Sequence, residues 1–388
     1  MKFLTAGESH GKSLIGIIEE FPSGLKIDLD CVDHELSRRQ KGFGRGGRMS
    51  IESDRAEIIS GIRGGMSTGS PISFIIRNKD WENWKDIMET GIHLNTGILA
   101  ASKDLNPRPG HADLTGLIKY RLKDIRDVLE RSSARETAVR VCVGAFAKIA
   151  LRLLGIEIYS YVVGIGKAAL RKKIIINTNT IEEIENSDLR CPDKEVYEKM
   201  KEEILAAKEN GDSIGGKFTI IATGVPAGLG SYTQWDRRID GNISRAIMSI
   251  PAIKALEIGD GYASSEKTGL QFHDEIHFDG KKGFYRRTNR AGGIEGGMTN
   301  GENITITASM KPIPTTSKGL KTVNIETKKS DISLKERSDI CAVPSASIVG
   351  EAMLAIEIFN AVQHKFGNDN MDEISNNYKS HLKYIRNI

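Results

Sequence analysis

The chain has 388 residues, 39% of them hydrophobic and 27% charged, with 55 basic against 51 acidic side chains and a net charge of +4. That balance suits an ordinary globular protein and excludes a disordered, collagen-like or strongly nucleic-acid-like composition. Cys31, Cys142, Cys191 and Cys341 are scattered with no CxxC or zinc spacing, no apolar run reads as membrane-spanning, and Met1-Lys2-Phe3-Leu4-Thr5 passes into Gly7-Glu8-Ser9 with no signal-peptide stretch; a reduced cytoplasmic protein, with no metal and no membrane, is expected.

In chain order, residues 12–30 alternate and then turn at Pro22-Ser23-Gly24, as a strand leading into a polar segment does. Residues 36–50, rich in Arg and Gly, read as a loop, and Ile72–Arg77 as a strand after a Gly-Ser-Pro turn. Residues 78–113 carry the Trp81/Trp84 pair and too many breakers for a long helix. From Leu114 the spacing turns helical. Ser133-x-x-Glu136 matches a capping box, and Val139, Cys142, Val143, Phe146, Ile149, Ala150 and Leu153 follow at helical spacing up to Gly155. A helix opening within Arg131–Arg135 would place free N–H groups, a helix dipole and two guanidiniums together, which is the physics of an anion site. Strand-like alternation around Ile158–Val163 and a charged helix from about Pro192 to Lys208 come next; a last helix runs from about Pro344 to Lys365, and the polar tail after Gly367 is expected to be peripheral.

The chain also repeats itself. Gly7-Glu8-Ser9-His10-Gly11 returns as Gly211-Asp212-Ser213-Ile214-Gly215, and Pro22-Ser23-Gly24-Leu25 as Pro226-Ala227-Gly228-Leu229. Arg38-Arg39 with Met49-Ser50-Ile51 returns as Arg237-Arg238 with Met248-Ser249-Ile250, Gly61-Ile62 through Gly69 as Gly293-Ile294 through Gly301, and Glu130-Arg131-Ser132 as Glu336-Arg337-Ser338. Four collinear blocks argue for one domain over 1–388: a half of about 1–155, a connecting segment of about 156–204, a second half of about 205–366 and a tail of 367–388. The copies differ in chemistry, since His10, Arg45 and Arg48 face Ile214, Ser244 and Ile247.

Two nucleotide motifs are imitated without their context. Gly7-x-x-x-Gly11-Lys12-Ser13 is one residue short of a P-loop, and Gly42-x-Gly44-x-x-Gly47 follows Arg38-Arg39-Gln40-Lys41 where a dinucleotide fingerprint follows an apolar strand. The glycines read better as allowing close backbone approach around a ligand, with Arg39, Arg45 and Arg48 as planar forks for carboxylates or phosphates. The alternatives are a solvated basic loop or an RGG-like segment of a non-enzymatic RNA-binding protein, although the loop carries only Phe43 as an aromatic. His10, in a Gly-flanked turn, and His111, in Arg108-Pro109-Gly110-His111-Ala112-Asp113, are the candidate proton donors. Asp339 stands at the mouth of the last helix, as a cap or a site residue.

Together, Gly7-Glu8-Ser9-His10-Gly11, Glu130-Arg131-Ser132-Ser133-Ala134-Arg135-Glu136-Thr137-Ala138 and Arg337-Ser338-Asp339-x-Cys341-Ala342-Val343-Pro344 resemble the three signature blocks of the chorismate synthase family. Thr68-Gly69-Ser70-Pro71-Ile72, Pro107–Asp113, Met248–Ala252, Gly292-Gly293-Ile294 and Lys311–Thr315 resemble further family segments, so the likeness covers about residues 3–363. Glu20 and Ala255 stand where the family commonly has glycine, and Leu270 where it commonly has serine.

The resemblance implies an α+β fold, a β-α-β sandwich with a pseudo-twofold duplication of two related halves, assembled as a homotetramer. It implies a lyase that eliminates phosphate from 5-enolpyruvylshikimate 3-phosphate in an anti 1,4 sense, using reduced FMN although the reaction has no net redox change. By the same resemblance His10 would protonate the flavin near N1, His111 the departing phosphate, and Asp339 with Ser9 would relay a proton from flavin N5. Flavin contacts would come from Arg131, Ser132, Ser133, Pro251, Ala252, Gly296, Lys311, Pro312, Ile313, Pro314, Thr315 and Arg337, and substrate contacts from Arg39, Arg45, Arg48 and Arg135. The absence of a large insertion leans towards an external flavin reductant, and a flavin reductase would need a nicotinamide site that the sequence does not display.

Overall fold

The structure is a computed structural model, and it describes residues 1–46, 53–91, 103–280, 283–333 and 338–388. The first half runs β1 (Lys2–Ala6), β2 (Ser13–Glu19), α1 (Leu29–Gln40), β3 (Glu57–Ser60), β4 (Ile62–Arg63), β5 (Met66–Ser67), β6 (Ile72–Arg77), α2 (Trp81–Met88), α3 (Asp113–Tyr120), α4 (Ile125–Ser132), a 3-10 turn (Ala134–Glu136) and α5 (Thr137–Leu153). A connecting region holds β7 (Glu157–Ile165), β8 (Ala168–Ala169), α6 (Thr178–Asn186) and α7 (Lys194–Glu209). The second half follows as β9 (Gly216–Thr223), α8 (Ile239–Met248), β10 (Ile253–Ile258), α9 (Gly269–Phe272), β11 (Ile276–Asp279), β12 (Gly283–Arg286), β13 (Ile294–Glu295), β14 (Met298–Thr299), β15 (Ile304–Met310), β16 (Lys321–Val323), β17 (Ser330–Ile332), α10 (Val343–Phe366) and α11 (Met371–Asn387).

Helices and strands mix in an α+β fold. One antiparallel sheet has the order β1-β2-β6-β3 and the other β10-β15-β9-β7-β8. Alternation in β2 and β6 turns Leu14, Ile18, Ile72, Phe74 and Ile76 inward, all essentially inaccessible. The partner face is α5, whose Phe146 stacks on Phe74 with ring centroids 6.5 Å apart. The second sheet buries Phe218, Ile220 and Ile306, and α10 packs on its strands β7 and β9. At Gly144 a side chain would strike Ala352, so a glycine there lets α5 and α10 touch backbone to backbone. Each fully buried Phe, Leu or Ile contributes on the order of 2 kcal/mol, and this shared core holds the halves together.

The 24-residue α10 is apolar nearly all round, and by length and composition it is long enough to cross a membrane, contrary to the sequence expectation. Its most apolar window is 83% buried inside the fold, which makes it a core helix.

Between α1, α5, α6 and α10 lies a buried ion network. Arg38 reaches Glu35 at 2.8 Å, Glu185 at 2.6 Å and Glu351 at 2.7 Å. Lys148 meets Glu35 at 2.7 Å and Glu351 at 2.5 Å, and Arg190 meets Glu185 at 2.9 Å and Glu351 at 3.1 Å. Three cations face three carboxylates, so the charge is balanced where desolvation is costly.

Two of the repeated blocks have matching local geometry. Leu14 pairs with Ile76 and Ile18 with Ile72, and at the echoing positions Phe218 pairs with Ala308 and Ala222 with Ile304. The hairpins β4–β5 and β13–β14 share one register, Ile62 with Ser67 and Ile294 with Thr299. The Ser67 hydroxyl donates to Pro22 O at 2.7 Å and accepts from Leu25 N at 2.9 Å; Thr299 does the same with Pro226 O at 2.6 Å and Leu229 N at 2.9 Å. One block does not hold as a local echo. Arg38 and Arg39 close a helix, whereas Arg237 and Arg238 precede one. Ser244 likewise sits inside α8 while Arg45 lies in a loop, and Arg48, Met49, Ser50 and Ile51 lie outside the described residues.

Three further expectations change. Residues 29–40 are helical, because Asp28 caps Asp30 N and the loop starts only at Lys41. The Ser133 capping box does not form. Ser133 follows α4 directly and caps Arg135 N in a tight 3-10 turn, and the Glu136 carboxylate goes to Arg140 at 2.7 Å, so the helix opens at Thr137. The Trp81/Trp84 segment forms a short helix of 8 residues, in keeping with the expectation that no long helix runs there. The tail is not peripheral: α11 buries Met371, Ile374 and Tyr378. Met371 N donates to Ser23 O at 3.0 Å, and His381 Nε2 lies 2.9 Å from Ala227 O, so the tail holds the equivalent turns of both halves. Glu20 stands at φ +60, the left-handed backbone that explains why the family commonly has glycine there.

Candidate active site

The turn of Ser9 and His10 is held from α4. Gly7 has φ +98, and a side chain there would meet Ser13 O, so only glycine brings the turn back onto β2. Ser9 N donates to Glu130 O at 3.0 Å. His10 N donates to Glu130 Oε2 at 2.8 Å, and His10 Nδ1 lies 2.8 Å from Oε1. The Glu130 carboxylate is buried and also accepts from Arg126 at 3.2 Å. Burial alone would push this carboxyl up; the His10 bonds and the Arg126 charge outweigh it and hold it below the usual range. Trp84 stacks on His10 at 4.0 Å, and Arg126 lies over the same indole at 4.9 Å. Arg131 donates to Thr5 O at 2.8 Å, Thr5 Oγ1 at 2.6 Å and Gly7 O at 3.3 Å.

Beside this turn lies an arginine group. Asn78 donates to the carbonyls of Glu8 and Gly11 and accepts from Arg135 Nε at 2.9 Å. Arg135 meets Asp54 at 2.7 Å, and Arg39 meets the same carboxylate oxygen at 3.5 Å while bonding Thr137 and the carbonyl of Ala134. Burial, partly offset by Asp54 and reinforced by the charges of Arg135 and Arg45, brings Arg39 down to about 10. Arg45 pairs with Asp339 at 2.9 Å, and Asp339 also accepts from Gly46 N at 2.6 Å. Three arginines thus face two aspartates, and the buried Arg45 Nε has no hydrogen-bond partner among the described residues. The excess positive charge suits an anionic ligand.

His111 belongs to a third group. Its Nδ1 makes a short hydrogen bond to Asp113, whose carboxylate is inaccessible and bidentate to Arg108, with Nε at 2.8 Å and an NH2 bond at 3.1 Å. Burial would raise the Asp113 carboxyl, but the bonds from His111 and Arg108 hold it far below the usual carboxylate range. Arg108 also donates to Thr315 Oγ1 at 3.0 Å. Lys311 Nζ donates to Gly110 O, and Lys311 N to Ala252 O at 2.9 Å. Pro312, Ile313 and Pro314 carry the chain between, with Ile313 O accepting from Ser213, the echo of Ser9, at 2.6 Å. Ser338 Oγ donates to Thr315 O at 3.2 Å and leads to Asp339.

The contacts therefore link His111, Thr315, Ser338, Asp339 and Arg45 on one side, and Arg39, Asp54, Arg135, Asn78 and His10 on the other. A hollow of about 300 Å³ is lined by Thr5, Arg131, Ser132, Glu136, Arg140 and Pro251. Arg140 spans it to Ser249 at 2.7 Å. Among the described residues Gly296 is not tied to this set; it lies at the tip of the β13–β14 hairpin, which packs on the start of α8 through Ile239 N and Gly297 O. Arg48 and Arg337 lie outside the described residues.

The description of the family named Chorismate synthase matches residues 1–363. The chain belongs to the chorismate synthase family. It is 54% identical to the chorismate synthase of Alkaliphilus metalliredigens over 98% of this chain and 99% of that one. It is 48% identical to that of Aquifex aeolicus over 100% and 99%. A crystal structure of a chorismate synthase superposes with a TM-score of 0.81 at 41% identity, covering 100% of this chain and 98% of the other. As a member of the chorismate synthase family the chain is an enzyme of the lyase class, in aromatic amino-acid biosynthesis. The RNA-binding reading has no support in these matches.

In this chorismate synthase family member the sequence reading had singled out Asp113 and Asp339 with the histidines and arginines that they pair with, but not the other residues that the fold gathers here. Asp54, Asn78, Trp84, Arg126 and Arg140 carry no motif. Glu130 was within a signature block, and its return at Glu336 was the one available hint.

Proposed function

We propose that the enzyme makes chorismate by anti 1,4-elimination of phosphate from 5-enolpyruvylshikimate 3-phosphate, with reduced FMN as cofactor. The observation that carries this reading is the cluster of Arg39, Arg45 and Arg135 set between two histidines that are each paired with a buried carboxylate. The substrate bears two carboxylates and a phosphate, and fixed guanidiniums with few competing aspartates favour such an anion.

The residues around the hollow fit a flavin mononucleotide. Arg131, Arg140, Ser132 and Thr5 offer cations and hydroxyls to a phosphate, beside the backbone of Pro251. Arg131, Ser132, Ser133, Pro251, Ala252 and Lys311–Thr315 would hold it, with Gly296 and Arg337 assigned to it by family resemblance alone. Reduced flavin, when bound, supplies the electron density that lets phosphate leave and recovers it as the ring hydrogen departs. His111 would give a proton to the leaving phosphate. His10 would hold a proton at flavin N1, and Asp339, with Ser9, would move the proton from N5. Asp339 is kept in place for this by Arg45 and Gly46 N.

The reading extends to assembly and setting. A homotetramer is supported by the apolar outer face of the first sheet, where Leu4, Ile15, Ile17 and Ile59 are exposed, and by a hollow of about 680 Å³ beside it, lined by Phe3, Leu4, Ile17 and Ile356. The matched registers of the two halves support a pseudo-twofold β-α-β sandwich. An external flavin reductant and a cytoplasmic location complete the proposal.

An anaerobic assay tests it. Purified enzyme with substrate and chemically reduced FMN should release phosphate and chorismate in equal amounts. Oxidised FMN, or no flavin, should give neither. Phosphate release that ignores the flavin would overturn the reading.

A further inference from the structure

The two histidines share a feature that their sequence motifs do not announce. Glu130 takes both the backbone N–H and the Nδ1 of His10, each at 2.8 Å, from a helix 120 residues away. Its side chain is 1% exposed. A carboxylate is acceptor-only, so the ring nitrogen facing it carries the proton. Asp113, fully inaccessible, does the same for Nδ1 of His111. Arg108 also lies against this ring, its guanidinium 3.0 Å from Nδ1 and 3.3 Å from Nε2 of His111.

We propose that Glu130 and Asp113 are positioning residues that place the proton of His10 and His111 on Nδ1, so that each histidine exchanges protons with its ligand through Nε2. This rests on the reading of the histidines as proton donors. The neighbouring arginines hold the two carboxylates: Arg126 reaches Glu130 and the Trp84 face, and Arg108 is bidentate to Asp113. Trp84, stacked on His10, keeps the imidazole plane fixed while Glu130 fixes its rotation.

The test uses the full chain labelled with ¹⁵N in its histidine rings, His10 and His111 being assigned from their Ala variants. Nitrogen shifts, read where the rings are neutral, should report the Nδ1–H form at both; each ring then takes its second proton, the one it passes on, at Nε2. Glu130→Gln and Asp113→Asn, which keep shape while offering a donor, should move only the paired histidine towards the Nε2–H form. With reduced FMN and substrate, each should lower kcat, by up to about 10⁴-fold where the ring is held in the wrong tautomer, with KM little changed. Finding Nε2–H in the unaltered enzyme, or Nδ1–H retained in the variants, would overturn the proposal. So would an unchanged kcat in both variants if His10→Ala and His111→Ala lose turnover. Should those two Ala variants keep full turnover while the nitrogen shifts behave as expected, the proton-donor reading fails and the positioning role falls with it. The nitrogen shifts thus separate the two failures.

Discussion

His10 and His111 differ in company, and that difference sets what their loss should do. His10→Ala and His111→Ala should each lower turnover by roughly two to four powers of ten. Both variants should stay folded, because the carboxylates left behind keep arginine partners, Arg126 for Glu130 and Arg108 for Asp113. Steady-state assay with circular dichroism checks this, and His273→Ala and His364→Ala serve as controls with near-normal rates. Full turnover in folded His10→Ala and His111→Ala would leave arginine electrostatics and the flavin to carry the reaction. Both histidines were legible in the sequence because glycine-bounded turns and an apolar echo, Ile214, set His10 apart. Asp113, two residues from His111, was legible with it; Glu130, the partner of His10, was not, since a carboxylate 120 residues away is chosen by the packing of α4 against the first turn, and no local pattern records that choice. Ala252 is a further case. Its φ of +68 places a non-glycine residue in the left-handed region, where its carbonyl meets Lys311 N, and nothing in Ser249-Ile250-Pro251-Ala252 signals it.

At the level of elements, the long apolar segments were readable and the short capped ones were not. Thr137–Leu153 announced itself by helical spacing, Lys194–Glu209 by charge, and Val343–Phe366 by following Arg337-Ser338-Asp339 as the first long helix follows Arg131-Ser132-Ser133. The start of α5 was misplaced by one local competition, Ser133 closing a 3-10 turn while Glu136 paired with Arg140. The tail was misjudged because its polar residues outnumber the three that matter. Met371, Ile374 and Tyr378 fall on one face of α11, and Tyr378 packs edge-on to Phe366 at 5.4 Å. Tyr378→Ala should therefore destabilise the chain by roughly 3 kcal/mol, the cost of truncating a buried aromatic. Lys383→Ala, on the exposed side, should change little. Urea unfolding of the two variants decides the matter, and equal midpoints would return α11 to the status of an appendage.

For the whole molecule, the group least foreseeable from sequence sits at its centre. Glu35, Arg38, Lys148, Glu185, Arg190 and Glu351 come from four separate stretches of chain, and each alone reads as an ordinary surface charge. Folding gathers them where α1, α5, α6 and α10 meet, and it also aims the adjacent Arg39 at Asp54 in the candidate site. Burial would raise the Glu351 carboxyl, but Arg38, Lys148 and Arg190 outweigh it and hold it well below the usual carboxylate range; Glu35 and Glu185 are lowered likewise. A carboxyl with a folded value below its unfolded value stabilises fully above the unfolded value, near ~4.3. That stability is lost as pH falls through the folded value, because the unfolded chain then binds more protons. The enzyme should accordingly lose stability as pH drops below about 4, from the carboxylates inward. Glu351→Gln should cost roughly 3–5 kcal/mol at neutral pH by leaving Arg38, Lys148 and Arg190 short of a counter-charge. The gap to the unaltered enzyme should narrow as pH falls through the acid range, since the carboxylate that the variant lacks is being protonated in the parent. Because Arg38 and Arg39 share the last turn of α1, KM for an anionic substrate should rise in Glu351→Gln as well. Denaturant unfolding at neutral and acid pH, with KM from the anaerobic assay, measures both. A stability gap that stays constant across that pH range would show that Glu351 contributes by packing, with its charge playing no part.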